Sequence, residues 1–357
     1  MVKNFISERL YLNLHNKHTT IFNEMRKIQT ADRTFTHRLM SKTVTTEDVL
    51  IITSYDYFLQ KHDLSTLLNK YREIILVPHS TDDDYLLNHT VSPLLDKYEK
   101  IHLITNPQYD SRYRVIYELV ARQNKSIKIT TVYDFCEKYL KKVYIPEDVS
   151  ESNPNISSLI SFGKRVRYPK KIIDLLISIV LLTLSFPLWI ISYIYIKLQS
   201  PGPAFFFQER VGKDNKLFNC IKFRSMRLDA ESNGASFSKK NDSRVFSYGA
   251  FMRLTRIDEL PQIANIFQRD ISLIGPRPER PVFTETFDET IPYYNLRHNI
   301  KPGITGYAQV MYAYGAGVRD ARHKLMYDLY YIKNWSLQLE LKIILLTIIV
   351  IFGRKGR

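Results

Sequence analysis

Four short runs of aliphatic and β-branched residues punctuate the first 150 positions: DVLIITS (48–54), EIILVPH (73–79), KIHLITN (100–106) and SIKITTV (126–132), with helical patterns between them. That rhythm predicts strands separated by helices, hence an α/β unit built on a largely parallel sheet. The pattern then changes. Residues 148–163 (DVSESNPNISSLISFG) are polar and rich in Ser, Asn and Pro, the composition of a linker. From Ile172 to Leu198 the chain is almost wholly apolar over about 25 residues, long enough at about 1.5 Å per residue to fill a bilayer's hydrocarbon core. A second apolar run, LKIILLTIIVIF (341–352), is only about 12 residues and reads as an interfacial or buried helix.

Pro187 sits in the middle of the long apolar segment, where a proline removes a backbone hydrogen bond and crowds the preceding turn. A tolerated kink in a spanning helix is one outcome. The other is a helix-break-helix hairpin that enters and leaves by one face. The flanks favour the hairpin: both adjoining regions are rich in Lys and Arg, and the N-terminal MVKNFISERLYLNLHNKHTT lacks the apolar run of a secretory signal and carries Glu8 and Arg9. Both soluble regions are therefore expected on the cytoplasmic side. The run KRVRYPKK (164–171) places five positive charges just before the segment, where anionic headgroups would attract them.

Charge narrows the partner. A formal net charge of +15 points to an anionic one: nucleic acid, a lipid surface or a phosphorylated substrate. No helix-turn-helix or RNP signature is evident, and the long apolar segment disfavours a nucleic-acid binder. Residues 1–150 contain no glycine, so the Gly-x-Gly-x-x-Gly site of a dinucleotide-binding domain is not available there, and that region reads as a regulatory or structural module. Cys136 and Cys220 stand far apart with no metal-ligand spacing, which argues against a disulfide framework or a zinc site.

The tract RLTRIDELPQIANIF (253–267) carries the densest chemistry. Pro261 is welcome only in a first helical turn, so a helix is expected to begin near Asp258 or Glu259 and run through Gln262 and Asn265. Taken alone, Asp258 is a helix cap and Glu259 a favourable charge at the positive helix end. The same terminus suits phosphate, and two adjacent carboxylates flanked by Arg253 and Arg256 exceed what a cap needs. Lys222, Arg224, Arg253, Arg277 and Arg297, drawn from stretches between QERVG and LRHNIKPGITG, could together supply charge-assisted hydrogen bonds to a diphosphate.

The order of these stretches resembles the bacterial sugar transferase family, the monotopic phosphoglycosyl transferases that prime exopolysaccharide and glycoconjugate synthesis. The resemblance runs from about Lys170 to the C-terminus through KKIIDLLIS, SPGPAFFFQERVG, FNCIKFRSM, RIDELPQIANIF, DISLIGPRPERP, RHNIKPGITGYAQV and DLYYIKNWSLQLELKIILLT. Residues 1–150 are similar to the modified Rossmann-like domain of the larger members. The resemblance implies a Rossmann-like α/β domain (1–147), the linker (148–163) and a mainly α, monotopic membrane catalytic domain (164–357) with a re-entrant helix over 172–198 and interfacial helices. It implies transfer of a sugar 1-phosphate from a UDP-sugar to polyprenyl (undecaprenyl) phosphate at the inner leaflet of the bacterial cytoplasmic membrane. Asp258 would be the nucleophile that holds the phosphosugar, Glu259 its assistant, and both would meet Mg²⁺. Lys222, Arg224, Arg253, Gln262, Arg277 and Arg297 would bind substrate, and Ser185 and Pro187 would shape the re-entrant break. A homo-oligomer is compatible with this reading, and a catalytically silent scaffold of a polysaccharide assembly complex is the alternative.

The chain departs from the family's wording at three places. Phe186 separates Ser185 from Pro187, where members commonly place Ser next to Pro. Arg269-Asp270-Ile271-Ser272 replaces Gly-Asp-Met-Ser. MYAYGAG follows Ala-Gln-Val where smaller members have an Arg, for which Arg319 or Arg322 are the candidates here.

Overall fold

The computed structural model describes residues 37–40, 48–53, 59–77, 92–98, 100–106, 126–146, 153, 156, 164–228, 230, 242–312, 315 and 317–352. The chain divides into two compact units, Met1–Leu140 and Lys141–Arg357. The stretch read for a secretory signal and most of 148–163 lie outside the described residues.

The first unit is an α/β sheet of strands β1 (His37–Met40), β2 (Asp48–Thr53), β3 (Glu73–Val77), β4 (Lys100–Thr105) and β5 (Ser126–Thr131), in the order β1-β3-β2-β4-β5. Strands β2 to β5 are parallel, with Ile51 opposite Ile75 on one side and Leu103 on the other. Val49 to Ile52 and Ile74 to Leu76 are fully buried, which is why these runs are continuously apolar instead of alternating. Counted among the parallel strands alone, the order is 2-1-3-4, that of flavodoxin-type doubly wound sheets. Strand β1, antiparallel on the β3 edge, has no counterpart among the runs read from the sequence. Helices α1 (Lys61–Leu68) and α2 (Ser92–Lys97) precede β3 and β4, and α3 (Val132–Phe135) follows β5, capped by the Thr131 hydroxyl, which accepts from Asp134 N at 3.2 Å.

In the second unit the residues before the apolar segment are part of the packing. Val143 N donates to Met326 O at 2.9 Å, Asn153 N donates to the Tyr293 hydroxyl at 2.9 Å, and Asn153 and Ile156 are buried. Helix α4 (Lys164–Gln199) then runs for 36 residues and takes in the basic run as its first turns. The expected interruption at Pro187 is not a gap in the helix: the helical backbone continues through both Pro169 and Pro187. A proline deletes one hydrogen bond and can bend a helix without ending it. The Ser185 hydroxyl donates back to Leu182 O at 3.4 Å, one turn before.

Helix α4 is inside out. Its stretch Tyr168–Gln199 is long and apolar enough to cross a membrane, with a mean hydropathy of 2.3 in its most apolar window, yet only 17% of that window is buried. The seam that faces the protein is Asp174, Ser178, Ser185, Ser192 and Ile196, while Leu176, Val180, Leu184, Phe186 and Ile190 point outward. Beyond Pro187, Trp189 packs edge-on against Phe223, Tyr195 stacks on Tyr248, and the Ser192 hydroxyl meets that of Tyr248 at 3.0 Å.

An antiparallel hairpin, β6 (Phe205–Val211) and β7 (Leu217–Phe223), leads to α5 (Ser247–Thr255), α6 (Gln262–Phe267), β8 (Ser272–Ile274), α7 (Pro281–Thr290), β9 (Gly303–Thr305), α8 (Tyr307–Met311), α9 (Val318–Lys333) and α10 (Leu337–Phe352). Strands β8 and β9 run parallel and very close: a Cβ on Gly303 would lie 2.1 Å from Gly275 N. The glycines of IGPRP and KPGITG are thus required by backbone approach, beyond the turn that Pro302-Gly303 alone implies.

Two positions play parts other than those their sequence context suggests. Lys170 is not a headgroup ligand: it is buried against Glu340 (3.0 Å) and Asp174 (3.4 Å), and Glu340 also accepts from the Tyr331 hydroxyl and from Trp335 Nε1 at 2.7 Å. This cluster ties the start of α4 to α10. Arg269, where the family's wording has Gly, follows α6 with φ +69°. That left-handed position favours glycine, so Arg269→Gly is expected to stabilise the protein by about 1 kcal/mol in thermal or chemical unfolding.

Candidate active site

Helix α5 ends at Thr255, and Arg256 takes a left-handed conformation (φ +62°, ψ +15°) that reverses the chain into a 3₁₀ turn, Ile257–Glu259. Pro261 then stands at the entry to α6. The carboxylates therefore sit on a tight turn before the helix, and Asp258 is not its cap. This turn forms part of the wall of a cavity of about 600 Å³, within the usual range for small-molecule sites.

Glu259 is 7% exposed and is surrounded by cations: its Oε1 accepts from Arg277 at 2.7 Å and lies 3.6 Å from Lys222 Nζ and 3.7 Å from Arg256. Burial alone would raise its pKa, but Arg277, Lys222 and Arg256 outweigh that and hold it well below the usual carboxylate range. Asp258 has the opposite fate. Burial and the charge of Glu259 push its pKa up to about 6, against the pull of Lys222, Arg256 and Arg253, and its Oδ1 has no hydrogen-bond partner among the described residues. Two adjacent carboxylates are thus driven apart, one fixed as an anion and one poised near neutrality, a pattern that marks functional sites.

Of the cations read from the sequence, Lys222, Arg224, Arg253, Arg277 and Arg297 all line this cavity. They differ in how far their donors are spent. Arg224 gives its two terminal nitrogens to Pro201 O (2.8 Å) and Ser200 O (2.6 Å), tying the end of α4 to β7. Arg297, 5% exposed, donates to Asp328 (2.9 Å), the Tyr294 hydroxyl (2.6 Å) and Arg277 O (2.9 Å). Burial raises the pKa of Asp328 to about 6 even with Arg297 beside it. Arg297 thus fixes the backbone of Arg277, which in turn grips Glu259. Arg297→Lys keeps the charge but cannot reproduce three directed contacts, and an activity loss of at least about tenfold with lowered thermal stability is expected. Gln262 is the exception: at 3% exposure it is buried in α6 and does not line the cavity.

Other contributors escape the reading of the sequence. Asn265 uses its amide as a substitute strand, accepting from Ile221 N (3.0 Å) and donating to Asn219 O (2.8 Å), so α6 holds β7 and with it Lys222. Arg256 is legible from its place beside the carboxylates. Lys324 on α9 lines the cavity, whereas Arg319 and Arg322 do not, and its i,i+4 spacing to Asp328 is the available signal.

The Mg²⁺ expected on Asp258 and Glu259 has to be weighed against the donors present. Among the described residues no group of three or more His, Cys, Asp or Glu could hold a metal unaided. The donor set fits a cation held by one protein carboxylate and by substrate phosphates, with Asp258, which keeps an unpartnered oxygen, better suited than Glu259, whose charge three cations already neutralise.

An inside-out apolar helix beside a cationic cavity with a split carboxylate pair suits a transferase that handles phosphate esters. The sequence profile of bacterial sugar transferases matches residues 165–354, and the chain belongs to that family. It is 47% identical over 179 residues to a UDP-N-acetylgalactosamine-undecaprenyl-phosphate N-acetylgalactosaminephosphotransferase of Aeromonas hydrophila, a match covering 50% of this chain and 42% of that one. It is 38% identical over 189 residues to a UDP-glucose:undecaprenyl-phosphate glucose-1-phosphate transferase of Xanthomonas campestris pv. campestris, covering 52% and 39%. An exopolysaccharide production protein of Rhizobium leguminosarum bv. phaseoli is 37% identical over 186 residues, 50% of this chain and 93% of that one. The chain thus spans well under half the length of the first two relatives.

Proposed function

We propose that this chain transfers a sugar 1-phosphate from a UDP-sugar to undecaprenyl phosphate through a covalent intermediate on Asp258. The observation that carries the reading is the split pair: Glu259 held as an anion by three cations, and Asp258 beside it, half-buried and poised near pH 6 in the same cavity wall. An Asp258 oxygen attacks the sugar-bearing phosphorus, the bond from that phosphorus to the bridging oxygen breaks, and UMP leaves with the electron pair. An oxygen of the lipid phosphate then attacks the aspartyl phosphate, restoring the carboxylate and giving a polyprenyl diphosphate sugar. Lys222, Arg277 and Arg256 offset charge on the phosphates, and Arg253 adds to that field. When bound, Mg²⁺ on Asp258 and the diphosphate would screen the leaving group.

Membrane association belongs to the same proposal. A helix whose outward face is apolar and whose inward seam is Ser and Asp is the inverse of a soluble amphipathic helix, and it suits lipid. With Pro187 able to bend it, α4 enters and leaves one leaflet, keeping the catalytic region on the cytoplasmic side of the inner membrane. The first unit, residues 1–140, is a regulatory or structural domain, and the catalytic domain lies in the second unit, into which Val143, Asn153 and Ile156 pack. The test is incubation of membrane-reconstituted protein with a panel of UDP-sugars, Mg²⁺ and undecaprenyl phosphate. UMP release and an intact-mass increase of one phosphosugar are expected with at least one donor. A protein that releases no UMP with any donor would instead be a silent scaffold.

A further inference from the structure

The cavity has two kinds of wall. One is cationic, formed around the Asp258 turn. The other is apolar and includes Val310 and Met311 of α8 and Val350 of α10. The long helix α4, whose outer face is the most extensive apolar surface of the described residues, contributes no residue to the cavity lining. Helix α10 does so while keeping an apolar face outside: Leu341, Leu345, Ile348 and Ile349 are exposed, whereas Ile343 is buried and the Thr347 hydroxyl meets that of Thr305 at 2.8 Å. Beyond the buried Glu340 at its start, α10 thus carries Val350 on the cavity wall and Ile348 and Ile349 on its exposed side in its last described turns. Arg253 also lines the cavity, while its neighbours on α5, Phe251 and Leu254, are exposed.

We propose that the isoprenoid chain of the lipid acceptor enters the site along α10, passing Val350 and lying against Val310 and Met311, and does not approach along α4. The proposal rests on the transferase reading above and adds the acceptor's route. An apolar chain leaves water only along apolar wall; Val350 sets α10 on the cavity wall next to the exposed Ile348 and Ile349, while the exposed Phe206 and Leu228 line the cavity elsewhere. The acceptor phosphate is then delivered to the cationic wall while its tail stays in the lipid. In this arrangement α4 sets the depth of the protein and α10 selects the acceptor.

The test compares Val350→Trp and Val310→Trp with Leu184→Trp on the outer face of α4, all in nanodiscs, using undecaprenyl phosphate and a two-isoprene phosphate as acceptors. Narrowing the α8 and α10 wall is expected to raise the KM for undecaprenyl phosphate at least tenfold and that for the short acceptor much less. Thermal unfolding reports that the wall variants are folded, and a KM rise confined to undecaprenyl phosphate separates a blocked tail from a damaged site. Leu184→Trp should behave as wild type. An unchanged acceptor KM in both wall variants, or an equal rise in Leu184→Trp, overturns the route. Absence of a UMP burst in wild type overturns the transferase reading instead, so the two failures are distinct.

Discussion

Asp258→Asn is expected to lower UMP release by at least about three orders of magnitude and to abolish the phosphosugar adduct, because an amide cannot supply the attacking oxygen anion. The wild-type protein should carry a signature of the same group: activity rising about tenfold per pH unit below about pH 6 and levelling above it, as Asp258 ionises. The stability effect has the opposite sign. Asp258 ordinarily titrates near 3.8 and in the folded protein near 6, so between these values the native state holds a proton that the unfolded chain has released. Its contribution to stability is complete below pH 3.8 and is lost as pH rises through about 6. The amide of the Asp258→Asn variant stays neutral at every pH, so thermal unfolding at pH 7.5 should show the variant to be more stable, by the order of 2 kcal/mol. A dead variant with unchanged or reduced stability would mean that Asp258 is not held uncomfortably as an anion.

Glu259→Gln should be nearly as damaging by a different route. It leaves Arg277, Lys222 and Arg256 around a neutral amide, and breaking a buried ionic cluster costs about 3–5 kcal/mol. The lower figure applies, because the side chains of Arg256 and Arg277 are about one third exposed and water screens them. An activity loss of at least about a hundredfold is expected from the misplacement of the three cations. The residual activity is diagnostic. Losing the like charge beside Asp258 removes one of the two influences that raise its pKa, so the acid limb of the pH profile should move below 6. An acid limb that stays in place would separate the two carboxylates electrostatically and refute the split-pair account.

A linear pattern carries some of this architecture and not the rest. Strands β2 and β3 are legible because both of their faces are buried, which forces continuous apolar runs. Strand β1 is not, since HRLM is a four-residue edge strand whose pairing with β3 is wholly tertiary. The carboxylate pair and the cations around it are legible as charge. Their division of labour is not, because the sequence does not say where an arginine's donors go, and the terminal nitrogens of Arg224 and Arg297 go to backbone carbonyls, the Tyr294 hydroxyl and Asp328. Gln262 lies off the cavity wall for a geometric reason. One continuous helix from Asp258 would set Gln262 four residues on, on the same face, but a 3₁₀ turn and Pro261 intervene and the new helix starts with Gln262 buried.

The Lys170–Glu340 contact joins residues 170 positions apart, so the earliest and the latest apolar helices of the second unit are stapled by one internal charge cluster. Cutting the chain ahead of Glu340 would strip the counter-ion from Lys170 and the acceptor from Tyr331 and Trp335 together, exposing charge at the root of the most apolar segment. A minimal catalytic fragment therefore has to keep its tail: the last sixteen-residue helix, Leu337–Phe352, is a buttress for the first, and shortened versions should be recovered as aggregates instead of as smaller enzymes.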